Sequence, residues 1–411
     1  MNATTPTPSW RNWGLNQSCE PARIADPATP DEVAHEVRQA LAAGRTVRAA
    51  GSGHSIMPIV PTDGLLIDPS RLKGITSIDT DGQKATMLAG TPLRELGPKL
   101  WEAGLSMANQ GDIDIQTITG ATSTGTKGSG VNQTNLAARI SMTELVDASG
   151  ELRRIDSGDE LAAAQVSLGL LGIITQVEVR MEPRYFLREQ YRIMAYEDIL
   201  DRWDDLKAAH RHFSFWWMPN ERAHALYGFD PVPTDHALVK LLDKVDIDDS
   251  YELRHTPEGR IGRSYLVYPD TTTDPTFHEL EYMLPATRDR DGFSALRDLM
   301  LTKHPDVDSP VQIRWQKQDD AWLSPQHRRE TVSVSVSGLI GTDYTPFFNE
   351  VQALLQPMEA RPHWGKWNSF TAEDIAHVYP RYEDFRRLRA EFDPEGRFAN
   401  DYLRRLFEIG R

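Results

Sequence analysis

RAAGSGHSIMPIVPTDG, Arg48 to Gly64, sets a histidine among glycines and follows it with two prolines. A glycine loop that cradles a phosphate usually opens a helix, and this one cannot. Pro58 and Pro61 lack a backbone N–H and push the residues before them out of the helical region. The loop is therefore expected to continue as an extended segment. GSGHS also lacks the GxGxxG spacing and following helix of a Rossmann turn. His54 needs a role of its own.

Around this loop, TVRAA (46–50) reads as the strand that enters it and GLLIDP (64–69) as the next strand. Upstream, Thr29-Pro30-Asp31-Glu32 is a helix start, with Thr as cap and Pro at the first helical position. Val33, Val37, Ala40 and Leu41 then share a face until Gly44 stops the helix. ITSIDTDGQKATMLAG is a hairpin around Asp81-Gly82, and ELVDASGELRRID a second hairpin. Thr91-Pro92 opens a helix running to about residue 103. DELAAAQVSLGLLG reads as another helix, delivering the strand GIITQVEVRM. Helices interleaved with hairpins indicate an α+β fold and not a doubly wound parallel sheet. Past Pro183, HFSFWWM, EYMLP, VQIRWQ and ETVSVSVSGLI read as long strands of an antiparallel sheet, with helices over 286–304 and 347–358. Residues 371–407 are expected to be mostly helical.

The chain has 411 residues, enough for two or three domains of about 150 residues each, and ten Trp and thirteen Phe supply a large core. A net charge of −15 argues against a nucleic-acid or anionic-membrane partner, which would want a basic face. Cys19 is the lone cysteine, so neither a disulfide framework nor a CxxC site is available. The histidines show no HExxH spacing, and no metal site is expected. MNATTPTPSWRNWG has no apolar run, and no stretch approaches the ~20 apolar residues of a membrane helix. A cytoplasmic protein is expected.

A second glycine-rich stretch follows: DIDIQTITGATSTGTKGSG, Asp112 to Gly130. Its glycines and small hydroxyl residues let backbone N–H groups approach a ligand closely. It fails as a Walker A loop, because Thr126 precedes Lys127 and GSGVNQ follows with no helix to stack on. Two glycine loops in one α+β unit, one carrying a histidine, suit a large phosphate-bearing cofactor.

Arg48–Gly64, Gly111–Gly130 and Ser167–Thr175 together resemble the FAD-binding domain of vanillyl-alcohol-oxidase-type flavoproteins, and more narrowly their aldonolactone oxidase and alditol oxidase branch. The resemblance runs from NWGLNQ (12–17) through EYMLP (281–285) and LSP (323–325) to RPHWGK (361–366) and DPEGRFAN (393–400). It implies a two-domain fold, with an FAD-binding domain at 1–182, a substrate-binding cap at 183–362 and a return segment at 363–411. It implies that Ala49, Ala50, Gly51, Ser52, Gly53, His54 and Ser55 wrap the FAD pyrophosphate, and that His54 is bonded covalently to the flavin. Thr117, Gly120, Thr124, Gly125, Thr126, Lys127 and Asp112 would cover the other side, with Gly172 and Ile173 along the adenosine part. Gln312 and Arg314, two apart on one strand and so on one face, would meet Ser337, Lys366 and Asp112 around the substrate. The implied activity is oxidation of a CH–OH group by hydride transfer, with oxygen or a soluble acceptor as the final oxidant. Trp216 and Trp217 read as core or pocket wall, and His363 as a hydrogen-bonded structural histidine.

Two positions depart from that pattern. Gln312 stands where the branch usually has a glutamate paired with the arginine, and Lys127 where it usually has a histidine. The neutral Gln312 leaves Lys366, Lys127 or water as bases. The pocket could carry surplus positive charge, for which an anionic ligand is the simplest remedy; otherwise Lys127 points to solvent and Gln312 binds a neutral hydroxyl. Two alternatives to a polyol or aldonolactone oxidase stay open. One is an oxidase or dehydrogenase of a non-sugar intermediate, an amine or an anion; the other is a non-catalytic flavin-binding protein.

Overall fold

The computed structural model describes residues 8–248, 250–270 and 276–410; Met1–Thr7, part of the N-terminal stretch read above, lie outside them. Helix Pro30–Ala42 starts as its cap demands, with Thr29 Oγ1 accepting from Glu32 N and Glu32 Oε2 accepting from Ala28 N. It buries Val33, Ala34, Val37 and Ala40 against a three-stranded parallel sheet in the order Arg23–Ala25, Leu65–Ile67, Val47–Ala49. Parallel neighbours need a crossover. Residues 50–64 supply it without a helix, which carries His54 across the end of the sheet.

Beside it lies a five-stranded antiparallel sheet in the order Leu152–Ile155, Ile140–Val146, Ile173–Arg180, Lys84–Leu88, Ile75–Asp79. Both expected hairpins are in it, closing at Asp79↔Lys84 and Val146↔Leu152. Two local expectations fail. The helix foreseen over DELAAAQVSLGLLG spans only Gly158–Ala164, because Leu168 (φ 54°) and Gly169 (φ 70°) turn the chain through the left-handed region. The second glycine loop does contain a helix, Ile118–Ser123, started by Thr117 Oγ1 accepting from Gly120 N.

The remaining sheet has nine antiparallel strands: Leu253–Thr256, Gly259–Arg263, Phe186–Ala195, His236–Val245, His212–Met218, Val311–Gln316, Thr331–Leu339, Phe277–Pro285 and Arg361–Pro362. One face packs Phe213, Phe215, Trp217, Ile313 and Trp315 among buried apolar residues of helices Tyr196–Ala209, Asp289–Lys303 and Thr345–Leu355. Alternation turns the partners of these residues to the other face. There Trp216, Gln312, Ser335 and Glu281 lie in one transverse row, and Ser214, Arg314 and Ser333 in the next. The C-terminal segment returns to the first half: Val47 N donates to Arg397 O, and Asn400 Nδ2 donates to the Pro58 and Pro61 carbonyls.

Candidate active site

A cavity of about 310 Å³ lies where the two glycine loops meet the polar face of the nine-stranded sheet. The loops touch each other. Ser52 Oγ donates to Ile115 O at 2.6 Å, and a Cβ placed on Gly51 would sit 2.3 Å from Thr117 Oγ1. Gly53 takes φ 71°, so the chain can reverse before His54. The N-terminal segment straps this loop: Trp13 N donates to Gly53 O, and Asn12 Nδ2 donates to Ser55 O. The Trp13 ring stacks on His54, with centroids 4.8 Å apart. Burial, then the Lys366 charge, pushes the His54 pKa down to about 4, so its imidazole is neutral and nucleophilic at physiological pH.

On the sheet side the polar groups form one network. Asp112 Oδ2 accepts from Arg314 Nη1 at 2.7 Å and from Gln312 Nε2 at 2.9 Å. Arg314 Nη2 donates to Glu281 Oε1 at 2.7 Å, and Lys127 Nζ lies 2.6 Å from that same oxygen. Lys366 is ion-paired with Glu279. Tyr227, in the cavity wall, bonds Ser337 Oγ at 2.7 Å. Burial and then the Arg314 charge lower the Lys127 pKa to about 8, against the pull of Glu281. Burial works to raise Asp112, but Arg314, Lys240 and the Gln312 hydrogen bond outweigh it and hold the carboxyl below its ordinary value. Burial lowers His363 to about 3, and its Nδ1 accepts from Gly365 N, the structural role expected of it.

Most of the residues singled out from sequence line this cavity: Ala49, Gly51–Ser55, Asp112, Thr117, Gly120, Thr124, Thr126, Lys127, Gly172, Ile173, Gln312, Arg314 and Lys366. Three do not. The Ala50 N–H is taken by Ile67 O in the parallel sheet; Gly125 donates to Thr122 O and packs on Pro325; Ser337 acts behind Tyr227. Trp216 is wall and Trp217 is core, its Nε1 on Asp235. His210 and His212 form an HxH pair that the sequence reading, which counted no such spacing, missed, but it has no metal geometry: one ring bonds Asp243 and the other Ser129 O. Among the described residues no group of His, Cys, Asp or Glu could hold a metal ion, and no helix is long and apolar enough to cross a membrane.

The surplus positive charge expected from sequence is a misreading. Arg314, Lys127 and Lys366 are matched by Asp112, Glu281 and Glu279. Lys127 faces the cavity with its side chain only 1% exposed, instead of pointing to solvent. Glu279 and Glu281 went unassigned, although their spacing of two in HELEYMLP put both on the face shared by Gln312 and Arg314.

The profile of the D-arabinono-1,4-lactone oxidase family matches residues 177–237 and 236–406, and that of an FAD binding domain matches 21–156. An L-gulono-1,4-lactone dehydrogenase of Mycobacterium tuberculosis is 32% identical, over 97% of this chain and 99% of its own length. The chain belongs to the D-arabinono-1,4-lactone oxidase family. A mouse L-gulonolactone oxidase is 26% identical over 97% of the chain and 98% of its own, and a Streptomyces alditol oxidase 27% over the same shares. The cholesterol oxidase of B. sterolicum has the same fold, at TM-score 0.81 and 14% identity, covering 97% of this chain and 96% of that one. The protein is thus an FAD-dependent oxidoreductase of the aldonolactone and alditol oxidase type, with the two-domain fold of the vanillyl-alcohol-oxidase group. The residues present fit an FAD. Bare glycine backbone, the capped start of helix Ile118–Ser123 and a neutral buried histidine face one cavity.

Proposed function

We propose that the protein oxidises a CH–OH group of a neutral polyol or aldonolactone, with FAD joined covalently to His54 and oxygen or a soluble acceptor as final oxidant. The observation that carries this reading is the grip of Arg314 and Gln312 on one Asp112 oxygen, in a cavity whose sheet-side cations all have acids beside them. An anionic substrate has no unmatched cation there to meet. The hydroxyls of a neutral polyol or aldonolactone find acceptors and donors on Asp112, Gln312 and Tyr227, over a wall of Trp216 and Phe229 that suits the C–H faces of a sugar.

Backbone N–H groups of 51–55 would hold the pyrophosphate, the second loop at 117–126 would cover the other side of the cofactor, and Gly172-Ile173 would lie along the adenosine part. FAD, when bound, supplies a two-electron acceptor for hydride. The residues then orient the donor: Arg314 holds the hydroxyl end and offsets negative charge developing on its oxygen, Lys366 adds a second cation, and the aromatic wall excludes water. We divide the chain into an FAD-binding domain at 1–182, a cap at 183–362 and a return segment at 363–411. The acidic composition and lone cysteine fit a cytoplasmic setting. The test is an anaerobic screen of neutral polyols and aldonolactones against their carboxylate and amine analogues. Bleaching of the flavin by the neutral set first is the expected result. Preference for an acid or an amine overturns the substrate reading.

A further inference from the structure

The contacts of Asp112 carry one step more, which rests on the reading above. We propose that Asp112 accepts the proton of the substrate hydroxyl, a catalytic base delivered by the second glycine loop and not by the cap sheet.

Among the described residues four carboxylates line the cavity: Asp112, Asp270, Glu279 and Glu281. Glu281 is shut in, its side chain 1% exposed and its Oε1 shared by Lys127 and Arg314. Both oxygens of Asp270 are held, Oδ2 by Lys240 and Oδ1 by Arg260. Glu279 is paired with Lys366 and 10% exposed. Glu279 and Glu281 each also keep one oxygen without a donor among the described residues, so Asp112 is set apart by its greater exposure and by the pair of donors that fixes its other oxygen. Its Oδ2 is clamped by two donors from one strand, Gln312 and Arg314, and among the described residues nothing donates to its Oδ1. Its side chain is 27% exposed, and the space it meets is the cavity. One oxygen fixes the orientation and the other is presented.

The nitrogen bases are worse placed. Lys127 is buried against Glu281, Lys366 is bound to Glu279, and Gln312 can neither take nor give a proton at neutral pH. The cations facing Asp112 are Arg314 and Lys240 from two strands of the nine-stranded sheet and Lys127 from its own loop, and they outweigh burial and its neighbour Asp270, so the carboxylate is ionised throughout the neutral range. In the step, the substrate O–H bond breaks and its proton goes to Asp112 Oδ1. The C–H bond breaks with its electron pair, the hydride passing to the family's FAD, and the C–O bond becomes a carbonyl. The substrate loses two electrons and Asp112 ends as the neutral acid, which returns its proton to solvent.

The experiment is anaerobic single-turnover reduction of the as-purified flavoprotein by L-gulono-1,4-lactone and by sorbitol, in wild type, Asp112→Asn and the double variant Asp112→Asn/Gln312→Glu. The single variant is expected to slow reduction by about a hundredfold or more at unchanged flavin content. The double variant, which returns a carboxylate beside Arg314, is expected to recover at least about tenfold. Wild-type reduction is expected to be level from about pH 6 to 9, a result that needs no variant to fold. An Asp112→Asn rate within about threefold of wild type overturns the proposal. So does a wild-type rate that climbs through about pH 8, the range of Lys127. If neither compound nor any other CH–OH donor bleaches wild type, the functional reading falls and this proposal with it. Reduction of wild type and Asp112→Asn alike sinks the proposal alone.

Discussion

His54 is held between the Trp13 ring and the glycine backbone, neutral because burial and Lys366 disfavour its charge. If its ring nitrogen carries the flavin, acid precipitation leaves the yellow colour in the pellet, and His54→Ala moves it to the supernatant. A colourless wild-type pellet from flavin-loaded protein contradicts the linkage. Arg314 is the second test at this scale. Its guanidinium is fixed by Asp112 and Glu281 before any substrate arrives, so it meets developing charge without reorganising. Arg314→Met is expected to slow flavin reduction by about a hundredfold, on the order of 3 kcal/mol, with flavin content unchanged. Gln312, Arg314 and Lys366 were legible in the sequence because period two and a family pattern pointed at them. Glu281 was not, because a carboxylate in an apolar strand looks alike whether it faces a cavity or a salt bridge; only its meeting with Lys127, far away in sequence, gives it meaning.

Among the elements, hairpins and capped helices were read from local chemistry, since Thr29-Pro30 and Asp81-Gly82 act on their immediate neighbours. Helix Ile118–Ser123 escaped because glycine and β-branched threonine are poor helix formers. The Thr117 cap and its packing on Gly51 override that propensity. Thr117→Val is therefore expected to cost about 1 kcal/mol in unfolding free energy through the lost cap, and to weaken flavin retention as well. Chemical denaturation and the flavin-to-protein absorbance ratio read the two effects separately; a variant unchanged in both would mean that the helix start holds neither fold nor cofactor.

Across the whole molecule, chain ends far apart are joined at Arg48. Its buried guanidinium donates to the carbonyls of Ile59, Leu168, Gly169 and Phe398. No sequence pattern announces such a hub, because its partners are backbone carbonyls from three segments, two of them more than a hundred residues away. Arg48→Met strands them, with an expected loss on the order of 3 kcal/mol and a lower melting temperature. Acid sensitivity is a property of the same scale. Burial lowers His212 to about 3, His327 to about 4 and His363 to about 3, while the unfolded chain keeps histidines near the ordinary 6.5. From pH 6.5 down to about 3 the unfolded state binds protons that the fold refuses, so this contribution to stability is full above that window and falls within it. His54, lowered to about 4, adds to the same loss in flavin-free protein, while Asp319, raised by burial to about 7, works the other way, one group against four. The melting temperature is expected to drop steadily between those limits; a level profile contradicts the buried neutral histidines.

The most direct test of the central claim, that this cavity removes hydride from a carbinol carbon, is anaerobic flavin reduction by a neutral polyol or aldonolactone deuterated at that carbon. The expected result is bleaching of the flavin at a rate several times slower than with the protiated compound. Bleaching at equal rates, or a flavin that stays yellow with every CH–OH donor, would contradict it.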